Sequence, residues 1–356
     1  MIDKIAHIVT FHCVPNYGAV LQAYGLQEYL KTVFKEVRVL DYRPATLLKE
    51  YKNINSYSLG SVVFSIWSLF PFMEKKRAFS NFEKRFHLSD VRGKTVDDFC
   101  DITSDYLFCG SDQIWNPDVT HGFDPVYFGK LRINGKPKVI SYAASFGKSI
   151  FSKQELFQMK TLLEHVDVVS VREKEAKELL DKELNITSTM VADPTILAGS
   201  EVFKPLIKSV DYKQYLFVYT LTNNPVTLQI AKDVAKKKGL QIVQVNGNRK
   251  PFHKPNHTII NDAGPEEFLS LLYHADFVVT DSFHGTVFAN MFHVPYITIP
   301  HKTRGGRMVT LLSELGMLDC LTEQADVSEK SIDWSVVDKN LLRIRKISID
   351  FINKSL

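Results

Sequence analysis

The sequence is short of several things that would type it at once. Its four cysteines, Cys13, Cys100, Cys109 and Cys320, form no CxxC pair and no zinc spacing. That excludes a disulfide framework or a cysteine-rich metal module and fits reduced thiols in a cytoplasmic protein. No apolar run reaches the about 20 residues that a bilayer span requires. The most concentrated run, Leu59 to Met73 (LGSVVFSIWSLFPFM), ends against Glu74 and Lys75-Lys76-Arg77. The opening MIDKIAHIVTFH reads as a strand without a signal-peptide layout. Charge of one sign is also scarce: 44 Lys and Arg against 40 Asp and Glu leave a net +4. This falls short of a nucleic-acid footprint and suits a small anionic ligand or an anionic membrane surface. Internal repeats, low-complexity tracts and a clear Gly-rich diphosphate loop are lacking too.

What is present is an ordinary soluble composition, 45% hydrophobic and 24% charged, over 356 residues. That length exceeds what one hydrophobic core usually serves, so two domains are expected. Short apolar runs alternate with helical stretches. Strands are expected at Ile5–Val9, Val37–Tyr42, Tyr106–Cys109, Lys138–Ala143, Val168–Val171 and Thr189–Val191, with helices at Ala19–Val33, Lys153–Glu164 and Glu173–Glu183. A second series has strands at Leu216–Thr220, Gln241–Gln244, Phe277–Thr280 and Pro295–Thr298. Its helices are Pro225–Lys238, Gly264–His274 and Gly285–Phe292. Such alternation implies α/β architecture with mostly parallel sheets covered on both faces. The boundary falls in Gly199–Tyr212, giving domains 1–205 and 206–356, the second with a C-terminal helix. Leu59–Met73 reads either as a buried helix or as a membrane-surface helix with its basic cluster at the headgroups.

Ligands of open α/β sheets bind beyond the carboxyl ends of strands, so segments that leave a strand and open a helix carry the chemistry. In the first, TFHCVPNYGA, Asn16, Tyr17 and Gly18 suit either a structural turn or a ligand loop at a helix N-terminus. In CGSDQIWNP, Ser111, Asp112, Gln113, Trp115 and Asn116 assemble hydroxyl, carboxylate, amide and indole, a sugar-reading set with a stacking face. A capping box accounts for Ser111 or Asp112 alone. Arg172, at the mouth of a buried strand in VVSVRE, either faces a ligand or pairs with Glu173 or Asp193. VVTDSFHGT delivers Asp281, Ser282, His284, Gly285 and Thr286 to a strand end, where an imidazole can exchange a proton near neutral pH. PHKTRGGR, with Lys302, Arg304 and Arg307 among glycines, reads as an anion clamp or as a solvated charge run.

Taken in order, TFHCVPNYGAVLQAYGLQ, GSDQIWNP, SYAASFG, SVRE, VADPTIL and TDSFHGTVFAN resemble the polysaccharide pyruvyl transferase family over most of the chain. The resemblance implies two facing Rossmann-like domains with parallel sheets, GT-B-like. It also implies transfer of pyruvate from phosphoenolpyruvate to a sugar of a cell-surface polysaccharide precursor in bacteria, forming a ketal. Arg172 would then bind the donor phosphate or carboxylate, and His284 would protonate the enol methylene. Where some members carry an arginine two residues before the histidine, this chain has Ser282, and Arg304 or Arg307 would supply the charge. Ser282, Gly285, Thr286 and Lys302 complete the expected donor side. Asn16, Tyr17, Gly18, Ser111, Gln113, Trp115 and Asn116 form the expected acceptor side.

The donor carries a carboxylate and a phosphate on three carbons, so its site needs two cations or their backbone equivalents. A base must also take the hydroxyl protons, Asp112 first and Asp281 second. No metal or nucleotide cofactor is required. A lipid-linked oligosaccharide acceptor would bring the enzyme to the inner membrane face through residues 59–77. Two rival functions fit the same elements: a glycosyltransferase with a nucleotide-sugar donor, and a non-catalytic carbohydrate-binding protein.

Overall fold

The computed structural model describes residues 1–50, 69–221, 224–246, 257–300, 306–322 and 331–356. The first sheet contains β1 (Ile2–Val9), β2 (Phe34–Tyr42), β3 (Leu88–Gly93), β4 (Tyr106–Cys109) and β5 (Lys138–Ser141), in the order β3-β2-β1-β4-β5. Two short parallel strands, β6 (Val169–Val171) and β7 (Ser188–Met190), extend its edge through bridges from Ile140 to Val168 and from Ala144 to Val171. The second sheet contains β8 (Tyr215–Thr220), β9 (Gln241–Asn246), β10 (Thr258–Ile260), β11 (Phe277–Thr280) and β12 (Tyr296–Thr298), in the order β10-β9-β8-β11-β12. All pairings within the two sheets are parallel. Relabelled from its own first strand, the second sheet has the strand order of the first. The architecture is therefore two Rossmann-like α/β units, a repeat of topology with no repeat of sequence behind it.

Local chemistry accounts for the elements. All six residues of β8 and all four of β11 are buried, as expected for strands covered on both faces. On the first unit, α1 (Tyr17–Val33) follows β1, and α2 (Ala45–Glu50) and α3 (Leu69–Glu83) lie between β2 and β3. The short α4 (Pro117–Thr120) follows β4, and α5 (Lys153–Leu163) opens on a capping box between Ser152 and Glu155. The helix expected over Glu173–Glu183 is α6 (Lys174–Glu178), continued by a π-helical stretch at Leu179–Leu184. After β7 come α7 (Pro194–Ala198) and α8 (Ser200–Phe203).

In the second unit, α9 (Pro225–Lys238) shows the full set of helix signals. Asn224 caps it, Pro225 begins it, Lys236–Lys238 meet its negative end and Gly239 closes it with φ 66°. Beyond it lie α10 (Pro265–Tyr273), α11 (Phe283–Met291), α12 (Gly306–Leu315) and α13 (Trp334–Ser355). Every residue of α11 is buried.

The two units meet over a shared apolar core. Tyr17 stacks on Phe268 with ring centroids 4.6 Å apart, and its hydroxyl donates to Ala263 O at 2.8 Å. Helix α13 returns from the second sheet to the first. Ser348 Oγ accepts from Ala192 N, Arg345 donates to Leu197 O and Ala198 O, and the Tyr106 hydroxyl donates to Leu356 O. Among the described residues, no helix is long and apolar enough to cross a membrane.

The basic cluster needs a correction. Lys76 and Arg77 are exposed on α3, but Lys75 is buried. Its ammonium donates to Asn246 O at 3.0 Å and lies 4.8 Å from the Tyr17 ring centroid. Burial lowers its pKa to about 8. Lys75 therefore joins the two units and is unavailable to lipid headgroups. The apolar part of the segment up to residue 68 lies outside the described residues.

Candidate active site between the two sheets

The site is built from strand ends of both units. Beyond β1, Asn16 caps α1 by accepting from Ala19 N at 3.2 Å, and Tyr17 is committed to the interface described above. Gly18 alone of the three faces chemistry: a Cβ there would stand 2.0 Å from Nδ1 of His284. The glycine is required because an imidazole from the other unit fills the space a side chain would take.

Beyond β4, the polar segment is turned inward. Ser111 N donates to Gln22 Oε1 and Ser111 Oγ to Ala143 O. Asn116 Nδ2 donates to Gln113 Oε1, and Asn116 Oδ1 accepts from Asp118 N. Trp115 is fully enclosed, stacked on Phe128 at 5.0 Å, with its indole N–H donating to Tyr127 O. The sugar-stacking role expected of Trp115 is thereby corrected: an indole enclosed in the core offers no face to a ligand. Asp112 differs from these neighbours. It sits at φ 68° with Oδ1 3.6 Å from Arg172 Nη2.

Arg172, at the end of β6, is the centre of the arrangement. Its side chain is 2% exposed, and its Nη1 donates to Asp193 Oδ2 at 2.6 Å. Burying a guanidinium requires such a partner. Yet Nε and Nη2 are buried without a hydrogen-bond partner, so the edge away from Asp193 is left with only the longer ion pair to Asp112 at 3.6 Å. His284 Nε2 lies 3.4 Å from the same Asp193 oxygen and likewise makes no hydrogen bond. Burial pushes the Asp193 pKa up, but the charges of His284 and Arg172 outweigh it and hold the carboxyl below the usual carboxylate range. The neighbouring Glu173 faces the SYAASFG turn, where Oε1 accepts from Ser145 Oγ, Phe146 N and Gly147 N.

From the second unit, β11 and α11 bring Asp281 to Gly285. Both Asp281 oxygens are engaged, by Thr220 Oγ1 and Leu221 N, each at 2.7 Å. Ser282 caps α11 through Gly285 N, and Thr286 Oγ1 donates to Ser282 O. A Cβ on Gly285 would lie 2.7 Å from Thr280 Oγ1, so this glycine serves helix-to-strand packing. Phe283 had not been singled out by sequence. Arg172 and Arg307 lie with Cζ 4.7 and 5.5 Å from its ring centroid, two guanidiniums on one aromatic. These three residues and Asp193 line a cavity of about 50 Å³ under α12 and α13. That is room for a few waters. Lys302 and Arg304 lie outside the described residues.

Asp193, the hub of this geometry, is in the sequence one of two partners for Arg172 and part of the VADPTIL motif, with no role of its own in the site. Its signal is the Asp-Pro pair that leaves β7 and opens a helix. A second polar cluster lies at the ends of β1 and β2, where His12, Asp41 and Glu83 come within metal-binding reach of one another. Arg43 bonds both carboxylates and Arg92 bonds Asp41. Guanidiniums thus already neutralise the charges a cation would seek.

The family profile described as polysaccharide pyruvyl transferase matches residues 16–303. No curated protein matches the chain. Among solved structures, the chain is similar to UDP-N-acetylglucosamine 2-epimerase from Rickettsia bellii, at 11% identity, covering 99% of each chain with a TM-score of 0.44. It is also similar to UDP-GlcNAc 2-epimerase from Methanocaldococcus jannaschii, at 14% identity, covering 98% of this chain and 93% of that one with a TM-score of 0.47.

Proposed function

The chain belongs to the polysaccharide pyruvyl transferase family, and from that premise we propose that it transfers pyruvate from phosphoenolpyruvate to a sugar diol, forming a cyclic ketal and releasing phosphate. The observation that carries the reading is the edge of Arg172 away from Asp193. Beyond its pairs with Asp193 and Asp112, this buried guanidinium keeps two nitrogens without a hydrogen bond beside a second guanidinium on the same phenyl ring, an arrangement that an anion accepting from that edge would relieve. Phosphoenolpyruvate supplies a carboxylate and a phosphate, one for each cation.

In this reading His284 gives a proton to C3 of the donor, which makes C2 electrophilic. An acceptor hydroxyl oxygen bonds C2 while a base removes its proton. The C2–O bond to phosphate then breaks, and a second hydroxyl closes the ketal with loss of its own proton. Asp112 is the favoured base, since it lies beside Arg172 whereas both Asp281 oxygens already accept hydrogen bonds. Arg172 and Arg307 stabilise the departing phosphate. The acceptor is a polysaccharide-precursor sugar, and its lipid-linked form would bring the enzyme to a membrane face.

A thermal-shift titration with phosphoenolpyruvate, UDP, GDP and CMP tests the donor. Stabilisation by phosphoenolpyruvate alone, lost in Arg172→Lys, is the expected result. Stabilisation by a nucleotide and none by phosphoenolpyruvate would move the protein to nucleotide-sugar chemistry.

A further inference from the structure

The carboxylate of Asp193 has two jobs, divided between its two oxygens. Oδ1 accepts from Thr195 N at 3.0 Å and from Thr195 Oγ1 at 2.7 Å, which caps α7 and fixes the side chain to the first unit. Oδ2 takes no part in the cap. It receives Arg172 Nη1 at 2.6 Å and faces His284 Nε2 at 3.4 Å. Arg172 comes from the first unit and His284 from the second, so one oxygen atom addresses the anion-binding cation and the proton donor together. Asp193 is fully enclosed and cannot swing away to solvent.

We infer that Asp193 is a positioning residue of the transfer reaction, one whose Oδ2 turns the far edge of Arg172 and the Nε2 edge of His284 toward a common point. The inference rests on the pyruvyl-transfer reading. Gly18 limits the ring on its other side, since a Cβ there would meet Nδ1. Phe283 bounds the guanidinium. With those two walls fixed, Oδ2 is the element that selects one orientation for each group. Asp112 cannot replace it, because at 3.6 Å it reaches only Arg172 Nη2.

Asp193→Asn tests the division of labour. An amide retains a carbonyl oxygen for the α7 cap and places either a neutral oxygen or an N–H donor against Arg172 and His284. The expected result is a fall in kcat/KM of about 100-fold, the scale for loss of an oriented charge in an active site. Asp193→Glu should recover part of it. The double variant Asp193→Asn with Arg172→Lys should fall little further than the more impaired single variant, since residues acting as one unit are non-additive. Full additivity with unaltered pyruvyl chemistry would overturn the inference. A ligand-free readout separates it from the donor assignment: histidine ¹⁵N spectra, with the His284 resonance assigned through His284→Gln. A change in the His284 Nε2 signal in folded Asp193→Asn supports the positioning contact even if phosphoenolpyruvate fails to bind. An unchanged signal, with phosphoenolpyruvate still binding, refutes the contact and leaves the donor assignment standing.

Discussion

Gly18 and His284 occupy each other's space: a methyl group on the glycine would stand 2.0 Å from Nδ1 of the imidazole. One belongs to the first helix of the chain and the other to a buried helix of the second unit, so the His284 ring is seated only when the two units are together.

Gly18→Ala follows directly. The added methyl must displace either α1 or the imidazole, both of which are buried. Activity should fall at least 30-fold, with a loss of about 1–3 kcal/mol in stability from overpacking. Steady-state kinetics alongside thermal melting checks this, and near-normal turnover in the variant would mean that the His284 ring position is immaterial.

Glu173 holds the SYAASFG turn by accepting from one hydroxyl and two backbone N–H groups. Glu173→Ala leaves these buried donors unsatisfied and should cost about 2–4 kcal/mol. Glu173→Gln keeps an acceptor and should cost less. Urea unfolding of the two variants measures the difference, and equal midpoints would refute this role.

The pH dependence of stability has a marker in His7, buried in β1 with Nδ1 2.9 Å from Ser104 Oγ. Burial, with a smaller push from Arg38, lowers its pKa to about 4. The unfolded chain titrates near 6.5 and so binds more protons between those values. His7 therefore contributes stability in full above about pH 6.5, and loses it as pH falls toward 4, on the order of 3 kcal/mol in all. His7→Gln should flatten the stability profile in that window, and a profile of unchanged slope would assign the acid sensitivity to other groups.

Lys75 and Lys76 are neighbours in sequence with opposite environments, one buried against Tyr17 and Asn246, the other exposed. Lys75→Ala should lower the melting temperature by several degrees through lost packing and cation–π contact, while Lys76→Ala leaves it within about a degree. Differential melting of the two variants decides the point. Equal effects would contradict the burial of Lys75.

Much of this was legible in the sequence because parallel strands covered on both faces must be short, apolar and β-branched, as VVT and LFVYT are. The edge strands β3 and β10 escaped for the converse reason. LSDVRG carries an aspartate and an arginine, and Thr258–Ile260 is only three residues long. Arg172 and His284 stood out as polar groups at strand ends. Trp115 misled because no local pattern reveals that Phe128 lies on its ring. Asp193 was legible only as a candidate partner for Arg172, because no local pattern reveals that His284, some ninety residues later, approaches the same oxygen.

The return of α13 to the first sheet has a mechanical meaning. The chain passes between the units twice, once through residues 199–214 and once through this helix, whose side chains grip Leu197, Ala198 and Tyr142. A single crossing would act as a ball joint, free to swing in any direction. Two crossings define an axis, as two hinges do for a door. These two ties hold His284 of the second unit against Gly18 of the first in one register.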